Sequence, residues 1–164
     1  DIYDLTITVG GLSKAYSMTG WRIGYLGGVQ DIVDAISKLQ DHSTSNPASI
    51  SQKAAVAALN APDDFTLKIC REFQNRRNLL VSRLSKIDKI SPVTPQGAFY
   101  CFCDISTTRL DSTPFATRLL DEELVALIPG ESFGRDDFVR LSFATSVEQI
   151  EKGVTRIQNL ISRL

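Results

Sequence analysis

Alternating apolar and polar positions predict strands in both halves of the chain. Near its start, residues 5–9 (LTITV) alternate in this way with β-branched side chains, and residues 21–26 form a second strand-like run. The glycine pairs at 10–11 and 27–28 are expected to end these two strands. Further strands are predicted at 98–105, 124–128 and 138–144.

Apolar positions that recur at three- and four-residue steps predict helices between the strands. The longest is expected at 63–87, with Pro62 and Asp63 at its start. Near the C-terminus, Ser146 and Gln149 have the spacing of a capping box, which predicts that a helix begins there. This last helix is predicted at 146–164, and three further helices are predicted at 31–39, 49–59 and 113–121.

The order of the predicted elements indicates an α/β protein with two lobes. Two strands and two helices precede the long helix at 63–87, and strands and helices mix after it. Segments rich in turn-forming residues, 42–47 and 91–97, predict loops within this order. No internal repeat or low-complexity segment is present. We therefore expect the two lobes to join inside the long helix.

Composition narrows the class of protein. The chain has 164 residues, of which 43% are apolar and 23% charged, a profile typical of a soluble globular protein. A net charge of −1 gives no reason to expect nucleic acid or an acidic membrane as a partner. Apolar runs such as 124–128 are too short to span a bilayer, and no signal peptide is visible. Because the chain begins with Asp1 and enters a strand-like run almost at once, we expect an N-terminal portion to precede it.

Cysteine usage favours packing over metal binding or disulfide formation. Cys101 and Cys103 alternate in a predicted strand, so their side chains are expected on one face. Such a pair could form half of a metal site, but no second Cys or His pair completes it, and His42 is the single histidine. We therefore expect no metal, a surface position for His42, and reduced thiols in a cytoplasmic protein.

Lys14 has an unusual sequence environment. No charged residue lies nearer to it than Asp4 before it and Arg22 after it. A solvated loop lysine is the general interpretation, but a second one accounts for more of the surroundings. A lysine that forms a Schiff base must be partly neutral, which burial beside another cation favours. Arg22 could be that cation and could also bind a phosphate, with Ser13 and the backbone of residues 10–11 as further donors. This set of groups suits pyridoxal phosphate.

The run SKAYSMTGWRIGY at residues 13–25 resembles the cofactor-lysine motif of the class I pyridoxal-phosphate aminotransferases, in the bacterial form of the aspartate aminotransferase group. The resemblance continues along essentially the whole chain in the family's order, through STSNP at 43–47, GAFY at 97–100, IPG at 128–130 and VRLSFATS at 139–146. It corresponds to the C-terminal portion of that family.

This resemblance implies a fold and an assembly. Residues 1–75 would form the end of the large cofactor-binding domain, a remnant of its mixed sheet, together with the start of the connecting helix. Residues 76–164 would form the small α+β domain. The family implies a homodimer, in which residues 43–47 either reach toward the partner's active site or simply connect two helices.

The resemblance also implies roles for individual residues. Lys14 would carry the cofactor as a Schiff base and then act as the general base and acid of the reaction. Arg22 would bind the cofactor phosphate, with Ser13 assisting. Gly10 departs from the pattern, since close relatives often have asparagine there. Arg140 would bind the substrate α-carboxylate, although a lone arginine in an apolar strand can also simply extend to the surface.

Three aromatic residues within these motifs are interpreted as packing residues, namely Trp21, Tyr25 and Tyr100. The family's remaining cofactor ligands precede the lysine, among them the aspartate that keeps the cofactor's ring nitrogen protonated. The 164 residues alone are therefore expected to be inactive.

The implied reaction moves an amino group between an L-amino acid and a 2-oxo acid. Aspartate and 2-oxoglutarate are the first expectation, and aromatic or prephenate-type substrates are the next. Two alternatives remain open at this point, because fold does not determine chemistry. One is another enzyme of the same cofactor and fold, a lyase or synthase. The other is the cofactor-sensing module of a transcription regulator.

Overall fold

The computed structural model describes residues 2–164 and divides the chain into two compact units. The first unit ends at Lys68, and the second spans Ile69–Leu164. The division falls inside a long helix, α3, which spans Asp64–Leu84. The assignment of residues 1–75 and 76–164 to two family domains stays a prediction.

The first unit contains a two-stranded antiparallel ribbon and two helices. Strand β1 (Thr8–Gly11) pairs with β2 (Gly24–Gly27), with Thr8 opposite Gly27 and Gly11 opposite Gly24. Helices α1 (Gln30–Ser43) and α2 (Ser49–Leu59) follow. Short 3₁₀ turns at Tyr3–Leu5 and Thr19–Trp21 precede the two strands.

Both strands of this ribbon begin later than predicted. Residues 3–5 form a 3₁₀ turn, closed by a hydrogen bond of 2.7 Å from the Thr6 hydroxyl to the Ile2 carbonyl, and pairing with the second strand starts only at Thr8. Arg22 has a left-handed backbone conformation with φ of 52°, which delays the second strand to Gly24. Gly10 lies inside β1 and Gly11 is its last residue, so the strand runs through the first glycine of the pair. A β-carbon on Gly10 would meet the ring of Tyr25, which favours glycine at this position.

Of the two helices of the first unit, one matches its prediction and the other is longer than predicted. Helix α2 has the predicted bounds, and its buried residues are Ser51 and Ala55. Helix α1 runs to Ser43, so the exposed His42 lies in its last turn and not in the predicted loop.

The second unit is a four-stranded antiparallel sheet with helices on one face. The sheet order is β3-β4-β6-β5, and each neighbouring pair is antiparallel. Its strands are β3 (Ser91–Val93), β4 (Tyr100–Asp104), β5 (Ile128–Pro129) and β6 (Phe138–Ser142). Its own helices are α4 (Ser112–Glu123) and α5 (Val147–Ile161), with 3₁₀ turns at Ser106–Thr108 and Gly130–Phe133.

One face of this sheet forms the core of the second unit. Cys101, Cys103 and Val139 are fully buried on that face and Leu141 nearly so, each contributing apolar area removed from water. Residues of the three helices pack against them, including Leu80, Leu84, Phe115, Leu119, Ile150, Val154, Ile157 and Leu160. The opposite face carries Tyr100, Phe102 and Arg140, which are half-buried.

Two predictions for the second unit are wrong, one of a loop and one of a strand. Residues 91–97 were expected to be a loop, but 91–93 form β3, where Pro92 is tolerated because β3 lies at the sheet edge. Residues 124–128 were expected to be a strand, but only Ile128 and Pro129 pair with β6. Leu124 has φ of 56° and ends α4 in the left-handed conformation, so the chain is still leaving the helix there.

The predicted cap of the last helix is confirmed, since the Ser146 hydroxyl accepts a hydrogen bond from the Gln149 N–H at 3.3 Å. The helix itself ends at Ile161, while α3 ends at Leu84, each three residues before its predicted end. Within residues 2–164, no helix is both long and apolar enough to cross a membrane.

Candidate functional site

The loop that contains Lys14 joins the two strands of the ribbon. Gly11 and Gly24 face each other at the end of the strand pair, so residues 12–23 leave and return at the same end. Lys14 and Arg22, separated by eight positions in sequence, both belong to this loop and both are exposed. The ribbon therefore presents an amine and a guanidinium from one loop.

Two buried residues anchor this loop on either side of Lys14. Leu12 is 1% exposed and Met18 is 8% exposed, and both cluster with Ala55 of α2. The backbone N–H of Met18 donates to the Leu12 carbonyl at 3.4 Å, which closes the chain around Lys14. Burial of these flanking side chains fixes the loop while leaving Lys14 on its outer side.

A chain of hydrogen bonds links Ser13 to Arg22 through Thr19. The Thr19 hydroxyl donates to the Ser13 carbonyl at 2.8 Å, and Nη1 of Arg22 donates to the Thr19 carbonyl at 3.1 Å. An arginine has five N–H donors, so this bond orients the side chain and leaves other donors for an anion. Sequence reasoning missed Thr19, and the only signal for it was its place in the MTGWRIGY run.

Arg140 lies on the outer face of the second unit's sheet, between aromatic side chains. Its guanidinium carbon is 4.2 Å from the ring centre of Tyr100 and 4.5 Å from that of Phe133. Within the described part of the chain, no carboxylate forms an ion pair with Arg140. A pocket of about 290 Å³ opens beside it, lined by Val93, Pro95, Tyr100, Phe102, Phe133 and Arg140.

Arg140 was interpreted either as a carboxylate-binding residue or as an arginine that simply extends to the surface. Its half-buried position and its two ring contacts favour a held side chain over a surface arginine. An unpaired cation in an apolar pocket suits a carboxylate ligand. The carboxylate role stays a prediction.

The aromatic residues interpreted as packing behave in two different ways. Tyr100 packs against Phe99, with ring centres 4.4 Å apart, as well as against Arg140. Trp21 and Tyr25 are 44% and 51% exposed, so neither is buried in a core, although the ring of Tyr25 lies close against Gly10. Both rings belong to the two-stranded ribbon and its loop, where they remain partly in solvent.

The cysteine pair lies in the core, as predicted. The sulfur atoms of Cys101 and Cys103 are 3.6 Å apart, and both residues are fully buried. The hydrogen bond with Cys101 and burial together raise the pKa of the Cys103 thiol far above its ordinary value. Between residues 2 and 164, no group of three or more His, Cys, Asp or Glu side chains is arranged to hold a metal ion.

Comparison with known proteins adds a family context to these two sites. The family model described as "Aminotransferase class I and II" matches residues 1–157. The aspartate aminotransferase of Rhizobium meliloti is 43% identical over an alignment of 171 residues that covers 98% of this chain and 42% of that protein. A probable aspartate/prephenate aminotransferase of Rickettsia conorii is also 43% identical, with 98% of this chain and 43% of that protein covered.

A solved structure gives the same result for the fold. The crystal structure of the aspartate aminotransferase from Rhizobium meliloti superposes with a TM-score of 0.94 at 41% identity, covering 99% of this chain and 43% of that chain. The match confirms the predicted α/β fold class and is consistent with the C-terminal portion of that fold. The chain thus spans about two-fifths of the length of these relatives.

Proposed function

Because the chain belongs to the family of class I and II aminotransferases, we propose that it supplies the cofactor lysine and the carboxylate-binding arginine of a pyridoxal-phosphate-dependent aminotransferase. The observation that carries the proposal is the anchored loop between β1 and β2. It presents Lys14 and Arg22 from one end of the ribbon, between the buried residues Leu12 and Met18.

The residues of this loop fit pyridoxal phosphate chemically. An amine can attach covalently to the aldehyde of the cofactor, and a guanidinium binds phosphate with charge-assisted hydrogen bonds. Arg22 is already oriented by its bond to Thr19, and the half-buried Ser13 adds a hydroxyl in the same loop. When bound, the cofactor supplies an electron sink for the negative charge left on the substrate Cα when its proton departs.

Each residue then has a distinct task in the proposed reaction. Lys14 would hold the cofactor through Nζ until the substrate amine displaces it, and the freed amine of Lys14 would then accept the proton from the substrate Cα and return it to the cofactor carbon. Arg22 binds the phosphate and so fixes one end of the cofactor, with the Ser13 hydroxyl as an additional donor. Arg140 orients the substrate through its α-carboxylate, because a fixed carboxylate reduces the freedom that the reacting atoms must lose.

Aspartate and 2-oxoglutarate are the substrates we propose. The name of the Rhizobium meliloti relative supports aspartate, and that of the Rickettsia conorii relative makes prephenate-type oxo acids the second choice. A half-reaction screen of the full-length gene product against a panel of amino acids tests this order. A faster reaction with aromatic amino acids than with aspartate would reverse it.

We also propose that the active protein is a cytoplasmic homodimer and that the 164 residues alone do not catalyse the reaction. Exposed apolar side chains of the first unit, such as Leu5 at 89% and Val9 at 76%, support a need for further cover. The chain covers 42% of the length of the Rhizobium meliloti relative, so the activity is assigned to a polypeptide of full family length. Sedimentation and activity of that polypeptide and of the 164-residue chain, measured side by side, test both statements.

A labelling experiment tests the cofactor lysine directly. The full-length gene product is loaded with pyridoxal phosphate, reduced with borohydride and digested. We expect the pyridoxyl mass on the peptide that contains Lys14, and we expect Lys14→Ala to lose it. The lysines of α1 and α2, Lys38 and Lys53, are internal controls, and label on either of them in place of Lys14 would reject the assignment.

A further inference from the structure

Within residues 2–164, the guanidinium of Arg140 is held by contacts with aromatic rings and by no ion pair. Tyr100 and Phe133, here called the ring pair, lie 4.2 Å and 4.5 Å from its central carbon. A guanidinium stacks on a ring through its flat face, whereas its N–H donors point outward in its own plane. The ring pair can therefore fix the orientation of the side chain without using the donors that would bind a carboxylate.

The turn that leads into β6 contains this arrangement with its carboxylate already present. The guanidinium carbon of Arg135 lies 4.1 Å from the ring centre of Phe138. Nε and Nη2 of Arg135 donate to the two carboxylate oxygens of Asp137 at 2.8 Å and 2.7 Å. A ring contact and a bidentate carboxylate thus coexist on one arginine here. Arg140 has the ring contacts, and within residues 2–164 it has no such carboxylate.

The register of the sheet determines the position of Tyr100. In the β4–β6 pair, Phe102 lies opposite Arg140 and Tyr100 lies opposite Ser142. Tyr100 is therefore a diagonal neighbour of Arg140 on the same face, at a separation that an aromatic ring and a long side chain can bridge.

A closed backbone turn determines the position of Phe133. In the segment between β5 and β6, the N–H of Arg135 donates to the Gly130 carbonyl at 3.0 Å, and the N–H of Gly134 donates to the Glu131 carbonyl at 3.0 Å. A β-carbon on Gly130 would collide with the backbone carbonyls of Arg135 and Phe138, so the turn closes because residue 130 is glycine.

The first residue of helix α4 stabilises this turn by hydrogen bonds. The fully buried Ser112 donates from its hydroxyl to Oδ1 of Asp136 at 2.6 Å and accepts from the Glu131 N–H at 3.2 Å. Phe133 itself is 47% exposed, so burial in a core does not explain its placement. Its ring contacts Arg140 and the edge of Phe102, with ring centres 6.1 Å apart in the second case.

We propose that Tyr100 and Phe133 are positioning residues that hold the guanidinium of Arg140 so that its outward N–H donors receive the α-carboxylate of the amino acid and of the oxo acid. This inference rests on the proposed function. It assigns a role to Phe133, which the sequence did not indicate, and a role beyond packing to Tyr100.

The test replaces each ring with an aliphatic side chain in the full-length, cofactor-loaded gene product. Phe133→Leu and Tyr100→Leu are each expected to raise KM for both substrates by about 2- to 30-fold, the range that one cation–π contact supports, with kcat changed less than about 2-fold. Phe133→Tyr restores a ring and is expected to restore KM. The half-reaction with butylamine, which has no carboxylate, measured without an oxo acid, is expected to keep its wild-type rate in every variant.

Binding of propionate to the same protein, measured by calorimetry, gives a readout that does not depend on turnover. We expect its dissociation constant to rise in the two leucine variants by the same factor as KM. Phe138→Leu is the matched control, because it removes the ring that contacts Arg135, an arginine already bound to the carboxylate of Asp137. This variant is expected to leave KM and propionate binding unchanged. Thermal unfolding of each variant verifies that it is folded, and Phe133→Met replaces Phe133→Leu if the latter is not.

The outcomes separate this inference from the function on which it rests. If Arg140→Ala leaves propionate binding unchanged, Arg140 is not the carboxylate site, and the function proposed for it fails together with the inference. If Arg140→Ala weakens binding but the ring variants do not, the inference alone is overturned. It is also overturned if Phe138→Leu has the same effect as Phe133→Leu, or if the rate of the butylamine half-reaction falls in parallel with the rise in KM.

Discussion

Among the described residues, the hydrophobic cluster of the first unit buries Leu12, Met18 and Ala55, whereas the second unit encloses a continuous core between its sheet and its helices. The first unit leaves several large apolar side chains in solvent, among them Leu5, Val9, Leu39 and Ile50, which are each at least 70% exposed. Its sheet is a ribbon of two strands, which is marginal without a layer against it. Chemistry and stability are therefore divided between the units. The proposed cofactor lysine lies on the weakly covered unit, and the proposed carboxylate site lies on the well-packed one.

The sharpest test of this contrast is hydrogen exchange on the dilute 164-residue chain. Amides of β1 and β2 are expected to exchange about 1,000-fold faster than those of β6, a difference of about 4 kcal/mol in opening free energy, because little apolar area closes over the ribbon. Raising the protein concentration should slow exchange in the ribbon if a second copy covers it. Equal protection of both strand sets, in a chain shown to be monomeric, would mean that the first unit is self-sufficient.

The next largest effect is expected in the core of the second unit. Leu119→Ala removes a fully buried side chain from α4 and should lower the free energy of unfolding by about 2–5 kcal/mol. Leu120→Ala, at the next position of the same helix, is the matched control and should cost less than about 1 kcal/mol, because Leu120 is 50% exposed.

Urea unfolding followed by two spectroscopic probes shows which of the two units Leu119→Ala destabilises. Far-UV circular dichroism reports on all the helices, whereas fluorescence reports on Trp21, the single tryptophan, which belongs to the first unit. Leu119→Ala should shift the dichroism transition and leave the Trp21 transition in place. Coincident shifts in both probes would show that the two units unfold as one.

The predictability of each element depended on how local its causes were. Helix α2 and the Ser146 cap were predicted correctly, because their signals lie within a few residues of the structure they form. The Lys14 loop was predicted from its motif, whereas the start of β1 was not, because it depends on where the chain begins to pair with β2, at Thr8 opposite Gly27.

The surroundings of Arg140 show the limit of local patterns most clearly. The residue was identified from its motif, but Phe133 reaches it through a turn that Ser112 and Asp136 secure from 24 positions apart in sequence. The spacing of apolar and polar residues along the sequence does not predict a contact between residues brought together by such a turn. The contact of Tyr100 with Arg140 could be predicted in part, because antiparallel pairing of the two predicted strands in this register makes the two residues diagonal neighbours.

Two glycines of the second unit are expected to respond in opposite directions to the same substitution. Gly130→Ala should destabilise the unit by about 1–3 kcal/mol, because the new methyl group meets backbone carbonyls that cannot move without opening the turn. Gly153→Ala lies in the interior of α5, where a β-carbon would meet nothing within 4 Å, and should stabilise it by about 1 kcal/mol. Thermal unfolding of both variants measures the pair. Stabilisation by Gly130→Ala would refute the closed turn and weaken the placement of Phe133.

The smallest expected effect is electrostatic, and it belongs to the second unit alone. Hydrogen bonds from Arg118 and then Arg163 hold the pKa of Glu122 below its ordinary value of 4.5. A lowered pKa in the folded state means that the carboxylate contributes stability at pH values above 4.5, and that this contribution is lost as the pH falls through the folded-state value. The pairs are exposed, so solvent screens them and the contribution is small. Glu122→Gln should therefore lower the thermal midpoint slightly near pH 6, and the difference from the wild type should shrink to nothing in strong acid. A difference that is constant from pH 6 into the acid range would show that Glu122 acts by packing and not through its charge.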